Sequence, residues 1–298
     1  MHKFSTLLIT VILSFSLSSA IAQLPDSAAW AATVQNEFRV IPDITYLRAN
    51  GVELKIDVYQ SRNSEGPAPT FIYYHGGGWV GGSKESNVLR LLPYLEGGWA
   101  AVNVQYRLGN VSLAPAAVED SLCALRWVAR NADQYGFDTE RLVVSGNSAG
   151  GHLALTSGMI PSEAGLDRQC LGSETPKVAA IVNWYGITDV NDLLHGVNEK
   201  SYAVRWLGSQ PDMAEIAERV SPISYVRSDL PPVITIHGDA DPIVPYNHAV
   251  QLHRSLDRAE VTNELVTVPN GGHGGFPANE MLRIYGSIFS FLNKNLPN

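Results

Sequence analysis

The sequence predicts an α/β chain with a mostly parallel central sheet and helices on both faces. Three observations predict it. Short runs rich in Val, Ile and aromatics, such as 70–74, 178–184 and 233–237, are apolar at nearly every position, as strands covered on both sides are. Stretches of helical spacing separate those runs; between Ala117 and Arg130 the apolar residues fall at Val118, Leu122, Leu125 and Val128. Finally, every residue with evident chemistry follows a strand, where open parallel sheets collect their ligands.

The chain opens with Met1-His2-Lys3, an apolar run from Leu7 to Leu17, and Ala20-Ile21-Ala22. A basic start, an apolar core too short to span a bilayer and an A-x-A site describe a cleavable signal peptide over 1–22. Cleavage after Ala22 leaves a single catalytic domain over 23–298, secreted or periplasmic. Residues 24–42 read as an N-terminal arm. Val52, Leu54, Ile56 and Val58 alternate with polar residues, as in a half-buried antiparallel strand. After the turn at 63–67 come strands at 70–74 and 100–105, the helix at 117–130, a strand at 141–145 and a helix from Gly151. Further strands are expected at 178–184, 233–237 and 265–268, and a last helix over 279–295. The longest stretch between strands, 186–224, is the candidate for a small cap.

Apolar residues make up 45% of the chain and charged ones 17%, which excludes a disordered class. Without Lys3, 20 basic residues face 29 acidic ones, so neither nucleic acid nor an anionic membrane is an expected partner. No second apolar run approaches the ~20 residues of a membrane span. Oligomeric state is left open. Cys123 and Cys170 have no zinc-site spacing, no metal-binding HExxH is present, and no cofactor or metal is expected. In an exported chain the two cysteines are expected to pair, the alternative being two buried free thiols.

Gly146-Asn147-Ser148-Ala149-Gly150 lies between the strand at 141–145 and the helix that follows. A serine on such a turn is held in a strained backbone conformation with its hydroxyl clear of the chain, and small residues two positions either side let the turn close. Alone, this fits an ordinary Gly-rich turn equally well. Three companions raise it. His75-Gly76-Gly77-Gly78-Trp79 ends a strand, and its flexible backbone can aim N–H groups at an oxyanion; Gly77, Gly78 and the N–H of Ala149 are assigned to that hole. Gly76, Gly78 and Gly81 also match a dinucleotide fingerprint, but the next strand ends in Asn103-Val104-Gln105-Tyr106, with no acid to hold a ribose. Asp239 and Asp241 share a strand-end loop. His273 stands among glycines after the last strand, free of regular structure, and its imidazole can take up and return a proton as a general base must. Of the other histidines, His75 is expected to brace the glycine loop and His152 to be structural; His195, His237, His248 and His253 have no motif support. The order Ser148, acid, His273 with an upstream glycine triplet is that of the α/β-hydrolases.

The motifs at 75–79 and 146–151, with Tyr106-Arg107-Leu108, resemble those of hormone-sensitive-lipase-like esterases. His237-Gly238-x-x-Asp241-x-x-Val244-Pro245 is more similar to the bacterial carbohydrate acetyl- and feruloyl-esterase (BD-FAE-like) branch. The resemblance spans about 43–295 and implies an α/β-hydrolase fold with Asp241, not Asp239, as the triad acid. Asn147 stands where the lipase-like group usually has Asp, and the large N-terminal cap is missing, which turns the expectation away from long-chain lipids. The expectation is a secreted serine carboxylesterase, with catalytic Ser148, Asp241 and His273, for short acyl or aryl esters, including small-molecule and carbohydrate-linked acetyl or feruloyl esters. Trp79, Tyr185 and Ile243 are expected pocket walls. A prolyl-oligopeptidase-like peptidase shares the His-Gly-x-x-Asp pattern but would need a propeller domain. A non-catalytic binding module of the same fold usually lacks a triad member, and here all three are present.

Overall fold

The computed structural model describes residues 25–297 apart from 35 and 65. The expected signal peptide at 1–22 lies outside these residues. Two units are present. The first, Met1–Asn36, contains helix α1 (Asp26–Val34), an Ala-rich segment entered from Pro25, whose carbonyl takes the N–H groups of Ala28 and Ala29.

The second unit, Glu37–Asn298, holds one eight-stranded sheet. Its strands are β1 (Phe38–Ala49), β2 (Val52–Ser61), β3 (Ala68–Tyr74), β4 (Ala100–Val104), β5 (Phe137–Asn147), β6 (Val178–Trp184), β7 (Val233–Gly238) and β8 (Asn263–Val268), in the order β1-β2-β4-β3-β5-β6-β7-β8. β1 and β2 pair antiparallel with each other, and β2 pairs antiparallel with β4. All remaining pairs are parallel, with Tyr74 beside Gly146 and Asn147 beside Trp184.

Alternate residues of the central strands feed two separate cores. Ile72, Tyr74, Val102, Val104, Leu142 and Val144 pack on one face against helices α3 (Ala116–Arg130), α5 (Ala149–Met159) and α8 (Asn247–Arg258). Phe71, Tyr73, Val143, Ile234 and Ile236 pack on the other against α2 (Leu92–Glu96) and α9 (Ala278–Asn295). This two-sided burial is why those strands show no polar alternation. The short α4 (Ala132–Tyr135) follows α3 and ends at a left-handed Gly136.

The arm expected over 24–42 is instead α1 followed by the start of β1. Pro42 sits inside that edge strand, and the pairing with β2 slips between Ile41 and Ile44 and again between Thr45 and Leu47. Those irregularities erase the two-residue period by which a strand is recognised.

Cys123 on α3 and Cys170, in the loop beyond α5, are joined in a disulfide. The stretch 186–224 holds helices α6 (Ser201–Leu207) and α7 (Met213–Arg219) with short 3-10 turns. It is packed down on the body: Trp206 stacks on Trp79 with ring centroids 4.1 Å apart, and Tyr202 Oη donates to the Ile243 carbonyl at 3.2 Å.

Candidate active site

Four strand-end loops, after β3, β5, β7 and β8, converge at the C-terminal edge of the sheet. After β5 the chain turns into α5 through Ser148, whose φ of 57° and ψ of −121° are rarely adopted by a residue with a side chain. The Ser148 N–H donates to the Trp184 carbonyl at 2.9 Å, tying the turn to β6. A Cβ on Gly150 would stand 2.0 Å from the Tyr74 carbonyl oxygen, and one on Gly146 would stand 2.3 Å from that of Gly150. The G-x-S-x-G spacing is therefore a steric requirement of packing this turn against β3.

The glycine loop after β3 supplies the facing wall. Gly77 and Gly78 have φ of 124° and 59°, and among the described residues no backbone carbonyl takes the N–H of either. Ala149 is the first residue of α5, so its N–H lacks an intrahelical acceptor. His75 is fully buried beneath this loop, stacked on Tyr106 at 4.2 Å, and burial lowers its pKa to about 4.

The loops after β7 and β8 are zipped together. The Ala240 N–H donates to the Gly271 carbonyl at 3.0 Å, and Asp239 Oδ1 accepts the Asn270 N–H at 2.6 Å. This brings His273 Nδ1 to 2.7 Å from Asp241 Oδ2. The other carboxylate oxygen, Oδ1, accepts the N–H groups of Ile243 at 2.8 Å and Val244 at 3.0 Å. Burial raises the Asp241 pKa, but hydrogen bonds from His237 and His273 and that of the Ile243 N–H outweigh it, holding the carboxyl well below the usual carboxylate range. Facing an ionised acceptor, His273 Nδ1 carries the proton, which leaves Nε2 as the basic nitrogen.

Ser148 and His273 line one cleft of about 300 Å³, together with Gly76, Gly77, Gly78, Asn87, Asn147, Tyr202 and Ile243. Two roomier depressions, of about 520 Å³ around Trp99 and Phe137 and about 790 Å³ around Pro161 and Pro232, contain none of Ser148, Asp241 and His273. Among the described residues there is no cluster of His, Cys, Asp and Glu that could hold a metal ion.

Of the expected walls, Ile243 stands at the cleft, 41% exposed. Trp79 does not: it is fully buried, stacked on Trp206, with Nε1 donating to His152 Nδ1 at 3.2 Å. The backbone after Gly78 turns its indole inward through a φ of 58°. Tyr185 is also buried, 2% exposed, with its ring 4.6 Å from that of His273. An aromatic beside a site motif says nothing of which way it points, and here both rings point into the body.

Asn87 and Tyr202 carry no signal in the sequence because each arrives on an element with no motif, the 3-10 stretch Lys84–Leu91 and α6. His237, for which no role is expected from sequence, also belongs to the site. Its Nε2 lies 3.3 Å from Asp241 Oδ2 and 3.0 Å from the Val244 carbonyl, so it donates into the acid loop. The His-Gly-x-x-Asp pattern that begins at this residue contains that signal. His152 is buried with Nε2 2.7 Å from the Val220 carbonyl, and burial lowers its pKa to about 3.

BD-FAE is the family whose sequence profile matches this chain, over residues 56–256. The chain is 29% identical to esterase LipC of Mycobacterium tuberculosis over 219 residues, which cover 70% of this chain and 53% of LipC; it thus spans about half the length of that relative. It is 26% identical to ethyl acetate hydrolase of Pseudomonas putida, covering 84% of this chain and 80% of that protein. The thermophilic esterase Est2 of Thermogutta terrifontis superposes with a TM-score of 0.71 at 26% identity, covering 87% of this chain and 92% of Est2.

Proposed function

Because the chain belongs to the BD-FAE family, we propose that it is a serine carboxylesterase acting on short acyl or aryl esters through an acyl-enzyme. The observation that carries this reading is the 2.7 Å contact between His273 Nδ1 and Asp241 Oδ2, with His273 and Ser148 lining one cleft. Ser148 Oγ attacks the ester carbonyl while His273 Nε2 takes its proton. Asp241 keeps the imidazole in the required tautomer and stabilises the imidazolium without being protonated. The oxyanion receives N–H groups from Gly77, Gly78 and Ala149; losing one such donor typically costs about 10²–10³ in rate. Collapse expels the alcohol, which leaves with the proton from His273. A water then attacks the acyl-serine by the same route in reverse order, releasing the carboxylic acid and restoring Ser148.

The small cleft and the neutral Asn147 beside Ser148 favour short acyl groups, and the likeness to an ethyl acetate hydrolase points the same way. Acetyl or feruloyl groups on carbohydrate are the substrates we assign within that class, and export through the 1–22 signal peptide is part of the same reading. Labelling the folded protein with a fluorophosphonate and mapping the adduct by peptide mass spectrometry tests the mechanism. The label is expected on Ser148, and Ser148→Ala is expected to lose p-nitrophenyl acetate hydrolysis. Label elsewhere, or a Ser148→Ala variant as active as wild type, overturns it.

A further inference from the structure

Among the described residues the half-buried Arg90 has no carboxylate partner, although an arginine drawn out of solvent ordinarily forks onto one. Its Nη2 donates to Tyr185 Oη at 3.1 Å, its guanidinium carbon lies 5.2 Å from the centre of the Trp184 ring, and its Nη1 is buried with no acceptor among the described residues. The cation therefore clasps both rings of one dipeptide, Trp184-Tyr185, at the end of β6.

That dipeptide touches both halves of the site. The Trp184 carbonyl accepts the Ser148 N–H at 2.9 Å, and the Tyr185 ring lies 4.6 Å from the His273 ring at an interplanar angle of 57°. Tyr185 has a φ of 40°, a conformation that bulky side chains rarely adopt and that persists only where the surroundings impose it. Its N–H donates to the Ile236 carbonyl at 2.7 Å, which locks the backbone, and its hydroxyl goes to Arg90. The His273 loop closes over that hydroxyl: a Cβ on Gly274 (φ 84°) would stand 2.7 Å from Tyr185 Oη. Phe276 and His237 bound the Tyr185 ring at 6.2 and 6.5 Å.

We infer that Arg90 and Tyr185 are positioning residues which act as one unit to fix the plane of the His273 imidazole relative to Ser148. The proposal rests on the reading of His273 as the general base. Asp241 holds one ring nitrogen by a single hydrogen bond, about which the imidazole can still rock. The Tyr185 face stops that rocking, and Arg90 holds the Tyr185 ring from its far end.

The test uses the full-length protein with p-nitrophenyl acetate, comparing wild type, Arg90→Met, Arg90→Lys, Tyr185→Phe and the Arg90→Met/Tyr185→Phe double variant, with Tm recorded for each. Because small misplacements of a reacting group are costly, Arg90→Met and Tyr185→Phe are each expected to lower kcat by about tenfold, with KM within about twofold of wild type. The double variant should be no slower than the worse single one, as for two parts of one unit. Arg90→Lys, which keeps a donor for Tyr185 Oη, should recover part of the loss. If Arg90→Met does not fold, Arg90→Lys and Tyr185→Phe carry the comparison on the same kcat and KM criteria. Single variants within twofold of wild-type kcat, losses that multiply in the double variant, or an effect confined to KM each overturn the proposal. Fluorophosphonate labelling of wild-type Ser148 separates the two failures. Labelled Ser148 with unimpaired variants overturns the clasp alone, whereas an unlabelled wild type overturns the clasp and the esterase reading together.

Discussion

Asp239 and Asp241 stand two residues apart in one loop, and their carboxylates meet different partners. Asp241 is committed to His273, His237 and two backbone N–H groups, whereas among the described residues Asp239 accepts only the Asn270 N–H at the entrance to the His273 loop. Asp241→Asn would place an amide against His273 Nδ1 and favour the tautomer whose Nε2 is protonated and unable to accept the serine proton. Its kcat is expected to fall by about 10³–10⁴. Asp239→Asn keeps an oxygen that can accept the Asn270 N–H, so its turnover should stay within a few-fold of wild type. Steady-state kinetics on the two variants checks the assignment, and the reverse pattern would move the acid to Asp239. A third single-residue effect is steric. Gly78 has a φ of 59°, and a Cβ there would stand 2.8 Å from Tyr202 Cβ. Gly78→Ala should displace one oxyanion donor and lower kcat by about 10²–10³, more than it lowers Tm.

At the scale of elements, the Cys123–Cys170 bridge ties α3 to the loop beyond α5 across 47 residues. Such a closure restricts the unfolded chain, and its removal typically costs roughly 2–4 kcal/mol. Paired Cys123→Ala/Cys170→Ala substitution should lower Tm by several degrees and leave kcat nearly intact, because neither residue lines the cleft. Free-thiol titration of the denatured, unreduced protein should detect no thiol; two thiols per chain would leave the cysteines unpaired. The elements that sequence pattern resolves best are those buried on both faces, β3 to β7, where a short, continuous apolar run suits a doubly covered strand and little else. β1 is illegible by the same rule because Pro42 and two slips of register break its period. The same division holds in the site. Ser148, His273 and the glycine loop carry their signal in neighbouring residues, since the turn and the close backbone approach require glycine there. Asn87 and Tyr202 reach the cleft only through the packing of the Lys84–Leu91 stretch and α6. Trp79 adjoins the glycine loop and Tyr185 follows the end of β6, but the direction of their rings depends on backbone twists at φ 58° and 40° that no neighbouring residue announces.

For the whole molecule, the buried histidines and the acid of the site act on stability in the same direction. His75 and His152 are fully buried, and burial lowers their pKa values to about 4 and about 3, so the native state keeps them neutral where the unfolded chain protonates them. Between pH of about 6.5 and those values the unfolded state binds more protons, and stability therefore rises with pH across that window. Their contribution is complete above about pH 6.5 and is lost as the pH falls toward 4 and then 3, by an amount on the order of a few kcal/mol. Asp241, held below the usual carboxylate range, adds a further loss, which begins only below about pH 4, where its unfolded counterpart gains a proton. The urea midpoint is accordingly expected to be constant from pH 7 to 8 and clearly lower at pH 5. His152→Gln, which removes a group that titrates only when unfolded, should lower stability at pH 7.5 through its lost contacts with Trp79 and Val220 while flattening the slope between pH 7.5 and 5. An unchanged wild-type midpoint at pH 5 would mean that these histidines are not held neutral in the folded protein. An unchanged slope in His152→Gln would leave the effect with His75, stacked on Tyr106 beneath the glycine loop, and with His248 and His253, whose pKa values burial also lowers.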